Sequence, residues 1–367
     1  MVCAGRATSR MRKENGARPD FLTRRMRAPA SPDEEIFPSL LFLITCRSIL
    51  TVRASRATIG KSETSPDGLR DLKRGALRTL GFREDSKIST VHMGYRNFDT
   101  AKIYGSEAAL GNALTEAMQD GTVEREDIFV TSKLWGSHHH DPVSALRQTL
   151  KTMGMDHLDL YLVHWPVKLK PWAFDAIPKE DHFEELDLKT TWLGMEKCLE
   201  LGLCRSIGVS NFSSKKLDQL LEFASVPPAV NQVEMHPMWR QARLRRVYGD
   251  HKIHVSAYSP LGGPGNAWGS TLVVDSPIIQ AIAHKHSATP AQVALQWGLS
   301  KGSSVIVKSF NQERMKENIG AVDLKLDDDD LMEIEKLEER KIMRGESLVN
   351  QTTSPYKTLE DLWDDEI

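Results

Sequence analysis

The feature that most constrains the fold is an alternation of strand-like and helix-like segments, which becomes regular from about residue 90 onward. Short runs of β-branched and apolar residues alternate with stretches whose apolar residues follow i, i+3, i+4 spacing. The strand-like runs are YRNFD, IFVTSK, LDLYLVHW, RSIGVSN, AVNQVEM, HVSAYSP and SVIVKS. Ser106, Asp141, Ser213 and Thr289 stand where helices should begin, as N-cap residues. The alternation predicts an α/β fold with a parallel sheet, and seven visible units call for an eighth that closes a (β/α)8 TIM barrel.

The chain before this regular part has a different character. Residues 1–60 contain eleven Lys and Arg against five Asp and Glu, and no periodicity persists there. A basic leader with Ser residues can be an organelle transit peptide, but the acidic SPDEE patch argues against one. We therefore expect residues 1–73 to be a basic, disordered leader and residues 74–367 to form the barrel and a C-terminal tail. This favours a cytoplasmic protein, with the plastid as the alternative.

Charge, hydropathy and cysteine content exclude several classes of function. The formal net charge of −2 gives no reason to expect nucleic acid or an anionic membrane as a partner. The apolar run at 40–45 is too short for a spanning helix, which needs about 20 apolar residues. The four cysteines form no CxxC pair, which favours reduced thiols. His138, His139 and His140 are adjacent on an expected loop, where they would not converge on one ion, so we expect no metal site.

Polar residues recur at the carboxyl ends of the expected strands, where barrel enzymes carry their active sites. These residues are Asp99, Lys133, His164, Ser210, Asn211, Gln232, Tyr258, Ser259, Lys308 and Ser309. Tyr104 follows shortly after Asp99. A phenol is a weak acid, but a nearby ammonium such as Lys133 lowers its pKa, and Asp99 can hold that ammonium in place. With His164 as a donor to a carbonyl oxygen, the set has the groups that carbonyl reduction needs.

Each of these residues has a simpler interpretation when taken alone. An Asp after a strand usually caps a helix, a Lys at a strand end is usually solvated, and a His in an apolar strand is usually a core residue. Three such residues at successive strand ends, with Tyr104 close to the first of them, are harder to explain that way. No G-x-G-x-x-G follows a strand and no P-loop is present, so other nucleotide-binding folds are disfavoured.

Residues from about 90 to 367 resemble the aldo-keto reductase superfamily. GYRNFDTAKIYGSE is similar to the signature G-Y-R-x-x-D-T-A-x-x-Y-x-x-E, and LYLVHWP, SIGVSNF, PAVNQVEMHP and VIVKSFNQERMKEN match further signatures in order. The ending SPYKTLEDLWDDEI is similar to plant aldose and aldehyde reductases. The resemblance implies a monomeric enzyme that reduces a small carbonyl compound. Tyr104 would be the general acid, Lys133 and Asp99 would tune its pKa, and His164 would orient the carbonyl.

The resemblance also implies the binding residues. Ser210, Asn211 and Gln232 would hold the nicotinamide carboxamide, Tyr258 would stack on the ring, and Ser259 and Leu261 would line the pyrophosphate path. Trp135 and Trp165 would wall the substrate pocket, together with the loop at 167–190 and the tail after 340. Lys308, Ser309, Asn311 and Arg314 are suited to a 2′-phosphate, which favours NADP(H) over NAD(H). Glu317 and Asn318 would meet the adenine.

The first βα unit departs from the family pattern. Residues 74–83, RGALRTLGFR, are the candidate first strand and turn, with Phe82 where a Trp is expected, and the helix that follows is about half the usual length. Two hypotheses remain open: an NADPH-dependent reductase of aldehydes and aldoses, or an NADPH-binding barrel whose atypical first unit prevents turnover.

Overall fold

The computed structural model describes residues 87–367, and its centre is a sheet of seven parallel strands. Nine strands are described in all, including two outside this sheet: β1 (Asn97–Asp99), β2 (Phe129–Leu134), β3 (Leu160–Val163), β4 (Lys168–Leu169), β5 (Phe183–Glu184), β6 (Ile207–Ser210), β7 (Val230–Glu234), β8 (His254–Tyr258) and β9 (Ser304–Ile306). The sheet order is β1-β2-β3-β6-β7-β8-β9, and β4 and β5 form a separate antiparallel pair. All seven strand-like runs of the sequence are strands of this sheet, as predicted.

Among the described residues, one α-helix precedes β1, three α-helices follow β9, and the others connect consecutive strands of the sheet. The α-helices are α1 (Lys87–His92), α2 (Glu107–Gln119), α3 (Pro142–Met153), α4 (Leu188–Glu200), α5 (Ser214–Leu221), α6 (Ala242–His251), α7 (Leu272–Asp275), α8 (Pro277–Lys285), α9 (Pro290–Ser300), α10 (Gln312–Gly320), α11 (Asp328–Glu335) and α12 (Leu359–Trp363). No helix among the described residues has the length and apolar character needed to cross a bilayer.

The barrel is incomplete over the described residues. Within 87–367, β1 pairs only with β2 and β9 pairs only with β8, so the position between β1 and β9 is the one an eighth strand takes in a closed barrel. Helix α1, with six residues, begins where the described residues begin. The basic leader 1–73, the segment 74–83 and Phe82 lie outside the described residues.

Two main hydrophobic clusters surround the sheet. The larger lies between the strands and the helices and includes the fully buried Trp192, Trp297 and Phe212. The second covers the carboxyl ends of the strands, where Phe183 of the 167–190 loop packs with Leu348 of the tail. The predicted pocket-wall segments therefore pack together above the barrel.

Three of the four predicted N-caps hold the first turn of their helices. Asp141 accepts from the Ser144 N–H at 3.0 Å, Ser213 from Lys216 at 3.1 Å, and Thr289 from Gln292 at 3.2 Å. Ser106 occupies the N-cap position of α2 without capping it, because its hydroxyl lies 2.8 Å from that of Thr100. The predicted N-cap position of Ser106 is therefore confirmed, although its side chain makes no capping hydrogen bond.

Helices α2 and α3 approach closely at Gly111. A Cβ at this position would overlap the carbonyl oxygen and Cα of Met153, which are backbone atoms that cannot rotate away. We expect Gly111→Ala to lower the free energy of unfolding by about 1–3 kcal/mol, the usual cost of overpacking. Gly249 in α6 is the control, because an added Cβ meets nothing within 4 Å. Gly249→Ala should raise stability by up to about 1 kcal/mol through helix propensity. Denaturant unfolding of both variants checks this, and equal effects would contradict the close approach.

An ion cluster joins α8 to the start of α11. Lys285 Nζ lies 2.8 Å from Asp330 Oδ1, and His286 Nε2 lies 2.6 Å from Asp330 Oδ2. His286, Asp327 and Asp330 have ligand atoms within 4.8 Å of one another, but the Lys285 ammonium bonds both carboxylates and supplies the positive charge there. His138, His139 and His140 belong to no such group among the residues described.

The same cluster predicts a pH dependence of stability. Burial opposes ionisation of Asp330, yet hydrogen bonds from Lys285 and His286 lower its pKa from 3.8 to about 2. A lowered folded-state pKa stabilises the protein above pH 3.8, and this contribution disappears as the pH falls toward 2. We expect Asp330→Asn to cost about 1–2 kcal/mol at neutral pH, since one pKa unit is about 1.4 kcal/mol and solvent screens the half-exposed Lys285. Thermal unfolding from pH 7 to pH 2 measures this, with the exposed Asp328→Asn as control; a cost independent of pH would contradict it.

Candidate active site

The carboxyl ends of β1, β2 and β3 bring three of the predicted catalytic residues to one end of the barrel. Asp99 is the last residue of β1, Lys133 is the penultimate residue of β2, and His164 directly follows β3. The parallel register pairs Lys133 with Leu162, two residues before His164. The geometry agrees with the sequence prediction that these side chains meet.

Lys133 and Asp99 form a buried ion pair. The Lys133 ammonium donates to Asp99 Oδ1 and also to the carbonyl oxygen of Thr100 at 3.0 Å, and both side chains of the pair are 0% exposed. The second oxygen of Asp99 accepts from Gln232 Nε2 at 2.8 Å. Asp99 is therefore held from β2 and from β7, so the ammonium has a fixed position.

Tyr104 lies above this ion pair in a short 3-10 turn, Lys102–Tyr104, that ends at Gly105. Gly105 has a positive φ of 67°, a conformation in which glycine is not strained. The Tyr104 hydroxyl lies 3.1 Å from His164 Nε2, and the Lys133 ammonium lies 5.1 Å from the centre of the Tyr104 ring. The structure thus brings all four predicted catalytic side chains together.

Aromatic side chains surround the phenol and imidazole. Trp135 packs edge-on to His164 with ring centres 5.5 Å apart, and Trp165 packs against Trp363 of the tail at 5.7 Å. Both predicted pocket tryptophans are buried in the cluster above the strand ends. Trp172 and Phe174, in the 167–190 loop, are instead more than half exposed.

Four residues predicted to hold the nicotinamide form one hydrogen-bonded group. Ser210 donates to the Gln232 carbonyl at 2.7 Å, and Asn211 Nδ2 donates to the His164 carbonyl at 2.9 Å. Asn211 Oδ1 accepts from the Tyr258 hydroxyl at 2.8 Å. Asn211 takes this position in a left-handed conformation with φ 62°, which asparagine tolerates better than most residues. These hydrogen bonds connect the carboxyl ends of β6, β7 and β8 to the backbone of His164.

The predicted pyrophosphate segment begins directly after β8. Ser259 also has a positive φ, 50°, and its carbonyl accepts from the Gly262 N–H at 2.8 Å in a tight turn. Leu261 packs against the main hydrophobic cluster.

The residues predicted for the 2′-phosphate gather at the start of α10. Asn311 caps this helix by accepting from the Arg314 N–H at 3.0 Å, and the Ser309 hydroxyl accepts from the Asn311 N–H at 3.1 Å. Lys308 and Arg314 are exposed, and Lys308 lies over the ring of Phe310 at 5.5 Å. The helix N-terminus and two cations therefore face solvent together.

The residues predicted to meet the adenine are differently disposed. Asn318 is buried, whereas Glu317 accepts from the Thr289 hydroxyl at the start of α9. Glu317 therefore has a partner within the protein.

Two buried carboxylates near the site were missed by the sequence reasoning. Glu107 accepts from Ser132 at 2.7 Å and from Thr149 at 2.9 Å, and burial raises its pKa. Glu107 is the last residue of the GYRNFDTAKIYGSE motif, and its place in that motif could have identified it. Glu234 is fully buried at the end of β7 and contacts the tail. It is the charged residue of the strand-like run AVNQVEM, and a charge in a buried strand could have identified it.

Cys198 and Cys204 are free and buried. Burial raises the pKa of the Cys198 thiol to about 12, which keeps it protonated and unreactive. Cys3 and Cys46 lie outside the described residues.

Comparisons with known proteins agree with this architecture. The model of the Aldo/keto reductase family matches residues 88–339. Deoxymugineic acid synthase 1 of Zea mays is 46% identical over 283 residues, which are 76% of this chain and 90% of that protein. Aldo-keto reductase family 4 member C11 of Arabidopsis thaliana is 44% identical over 285 residues, 77% of this chain and 90% of that protein.

A solved structure supports the barrel in particular. The aldose reductase from Schistosoma japonicum superposes with a TM-score of 0.68 and 31% identity, covering 76% of this chain and 92% of that one. The predicted (β/α)8 barrel class is confirmed, since seven of its strands are present among residues 87–367. The sheet, the site geometry and the sequence relatives together show that this chain belongs to the aldo/keto reductase family.

Proposed function

We propose that the chain is an NADPH-dependent reductase of aldehydes and aldoses, with ketones as further substrates. This narrows the general activity of the family, which is the reduction of small-molecule carbonyl compounds with a nicotinamide cofactor. The observation that carries the proposal is the Tyr104 hydroxyl 3.1 Å from His164 Nε2, beside the buried Lys133–Asp99 pair.

Tyr104 would give its proton to the carbonyl oxygen of the substrate. The ammonium of Lys133 near its ring favours the phenolate that remains after the transfer. Asp99 keeps that ammonium charged and in place although it has no contact with solvent. His164 and Tyr104 together offer polar hydrogens to one oxygen atom, so they would orient the carbonyl as well as protonate it.

The residues present fit a nicotinamide cofactor. Gln232 Oε1 and the second proton of its amide stay available at the strand ends beside Ser210 and Asn211, which suits a carboxamide. NADPH, when bound, supplies the hydride. Tyr258 would pack against its ring, and Ser259 and Leu261 would follow the pyrophosphate.

The preference for NADPH over NADH rests on the start of α10. Lys308 and Arg314 are exposed cations beside the Ser309 hydroxyl and the helix N-terminus capped by Asn311, and this donor set suits a dianionic 2′-phosphate. Asn318, and Glu317 through a rearrangement away from Thr289, would meet the adenine. Trp135 and Trp165 would wall the substrate pocket.

The test is cofactor oxidation by the purified full-length protein. NADPH and NADH are each supplied with a small aliphatic aldehyde, an aromatic aldehyde and an aldose, and the loss of reduced cofactor is followed. The proposal expects turnover of all three carbonyl compounds, with NADPH clearly preferred. Turnover with NADH alone would overturn the cofactor assignment, and no turnover with any carbonyl would overturn the activity.

A second candidate is an NADPH-binding barrel without turnover. It is favoured by the sequence of residues 74–83, RGALRTLGFR, where Phe82 stands in place of the Trp expected in the family. Quenching of tryptophan fluorescence by NADPH, combined with no aldehyde-dependent oxidation, would support this candidate. Turnover at ordinary rates would exclude it.

We further propose that residues 74–367 form one monomeric catalytic barrel and that residues 1–73 are a leader outside it. The cytoplasm is the proposed location, with the plastid as the alternative. Size-exclusion chromatography with light scattering tests the monomer, and fluorescent fusions with and without residues 1–73 test the location.

A further inference from the structure

The middle of the C-terminal tail is anchored to the barrel by one buried carboxylate. Glu234 ends β7, and its side chain is 0% exposed. Its Oε1 accepts from the backbone N–H of Ile342 and its Oε2 from that of Met343, both at 2.9 Å. His236 Nε2 also lies 3.0 Å from Oε1. Both oxygens of one side chain therefore fix two consecutive peptide groups of the tail.

Glu234 is suited to this task because it stays ionised. Burial opposes its ionisation, yet the hydrogen bond and charge of His236, the charge of Lys341 and the backbone N–H of Ile342 hold its pKa below the usual value. A carboxylate accepts at both oxygens, whereas a carboxamide accepts at only one and donates at the other. Only an acidic side chain can satisfy both N–H groups.

The anchored residues lead directly to the walls of the site. Met343 packs against Tyr258, whose hydroxyl bonds Asn211. The next residue, Arg344, accepts at its carbonyl from the indole N–H of Trp363 at 2.7 Å. Trp363 in turn packs on Trp165 at 5.7 Å. A displacement at Ile342 and Met343 would therefore shift both the side near Tyr258 and the aromatic wall.

Lys341 strengthens the same anchor. Its buried ammonium lies 3.4 Å from the ring centre of Trp363 and 5.0 Å from that of Trp239. It thus joins the loop after β7 to the last helix of the tail, next to the Glu234 carboxylate. The far end of the tail is held separately, by Asp364 on Lys216 and Ser213, so loss of the Glu234 contact would free the middle of the tail and leave its end attached.

We propose that Glu234 is a positioning residue that sets which substrates fit, by anchoring the tail segment Ile342–Met343 above the site. The proposal rests on the proposed function for its kinetic part. It assigns no contact between Glu234 and the substrate.

The test compares Glu234→Gln with the wild type, using a small aliphatic and a bulky aromatic aldehyde. The amide would place a donor against a backbone N–H, so we expect KM for the bulky aldehyde to rise about tenfold, the effect of losing one hydrogen bond to a charged group. The kcat for the small aldehyde should change less than about twofold, because the Tyr104 group is untouched.

Glu234→Asp, which keeps two acceptors, should recover part of the loss. Glu346→Gln, an exposed tail carboxylate, is the matched control and should behave as the wild type.

A second measurement tests whether Glu234 anchors the tail, and it does not depend on catalysis. Trypsin cleaves after Arg344 only when this segment opens, so the rate of cleavage there, followed by mass spectrometry, should rise about tenfold in Glu234→Gln. If that variant does not fold, Trp363→Phe, which loses the indole N–H to Arg344, should raise the same rate and the same KM. Unchanged cleavage and unchanged KM overturn the proposal, and so does an equal fall of kcat for both aldehydes with unchanged cleavage. If Glu234→Gln is cleaved faster but the wild type reduces no aldehyde, the anchoring of the tail is supported and the proposed function is contradicted.

Discussion

Tyr104→Phe should lower kcat/KM for aldehyde reduction by about 10²–10⁴-fold, the range contributed by a positioned general acid. The substitution removes one hydroxyl whose partner is His164 at 3.1 Å and keeps the buried ring beside Lys133. The fold and the proposed cofactor residues on β6 to β9 are untouched. NADPH binding, read as quenching of tryptophan fluorescence, should therefore stay within about twofold.

The control for this result is Tyr356→Phe. This variant also removes a hydroxyl that has a defined partner, the Pro166 carbonyl at 2.8 Å, but Tyr356 lies in the C-terminal tail and its ring contacts Lys216. Its effect on kcat should be small beside that of Tyr104→Phe. Equal rates in wild type and Tyr104→Phe would remove Tyr104 from the chemistry.

Asp99→Asn should both unfold the protein more easily and abolish turnover. The Lys133 and Asp99 side chains are both 0% exposed, and removing one partner leaves an uncompensated buried charge. We expect the free energy of unfolding to fall by about 3–5 kcal/mol. The amide oxygen can still accept from Gln232, so the loss reports on the charge. Urea unfolding followed by circular dichroism measures it.

The double variant Asp99→Asn with Lys133→Met separates stability from activity. It removes both charges, and replacing a buried ion pair by uncharged groups is often neutral for stability. We expect most of the lost stability to return while aldehyde reduction stays absent, because no ammonium remains beside Tyr104. Recovery of activity in the double variant would show that the pair serves the fold alone.

The sequence predicted the sheet well because each strand carries its own signal. The seven strand-like runs, and the caps at Asp141, Ser213 and Thr289, depend on neighbours within four residues, which a single sequence displays. Ser106 also stands at the start of its helix, but its hydroxyl bonds the Thr100 hydroxyl and not the first turn of the helix.

The grouping of the four catalytic candidates was predictable for a different reason. Parallel strands present their carboxyl ends on one side, so polar residues at successive strand ends must meet. Gln232 shows the limit of that argument, because its bond to Asp99 joins β7 to β1 across the barrel and no spacing along the chain encodes it. Glu234 and Lys341 show the same limit for the tail, since 108 residues separate Glu234 from Ile342.

The burial of Lys133 and Asp99 has a consequence for how the protein would respond to salt. Mobile ions screen exposed charges beyond about 8–10 Å at ordinary ionic strength but cannot approach a pair that has no exposed surface. The cations at the start of α10, Lys308 and Arg314, are exposed and open to screening. Rising ionic strength would therefore weaken the binding of a phosphorylated cofactor and leave the charge interaction between Lys133 and Tyr104 unchanged. The salt concentration would thus change the affinity for the cofactor without changing the rate of proton transfer.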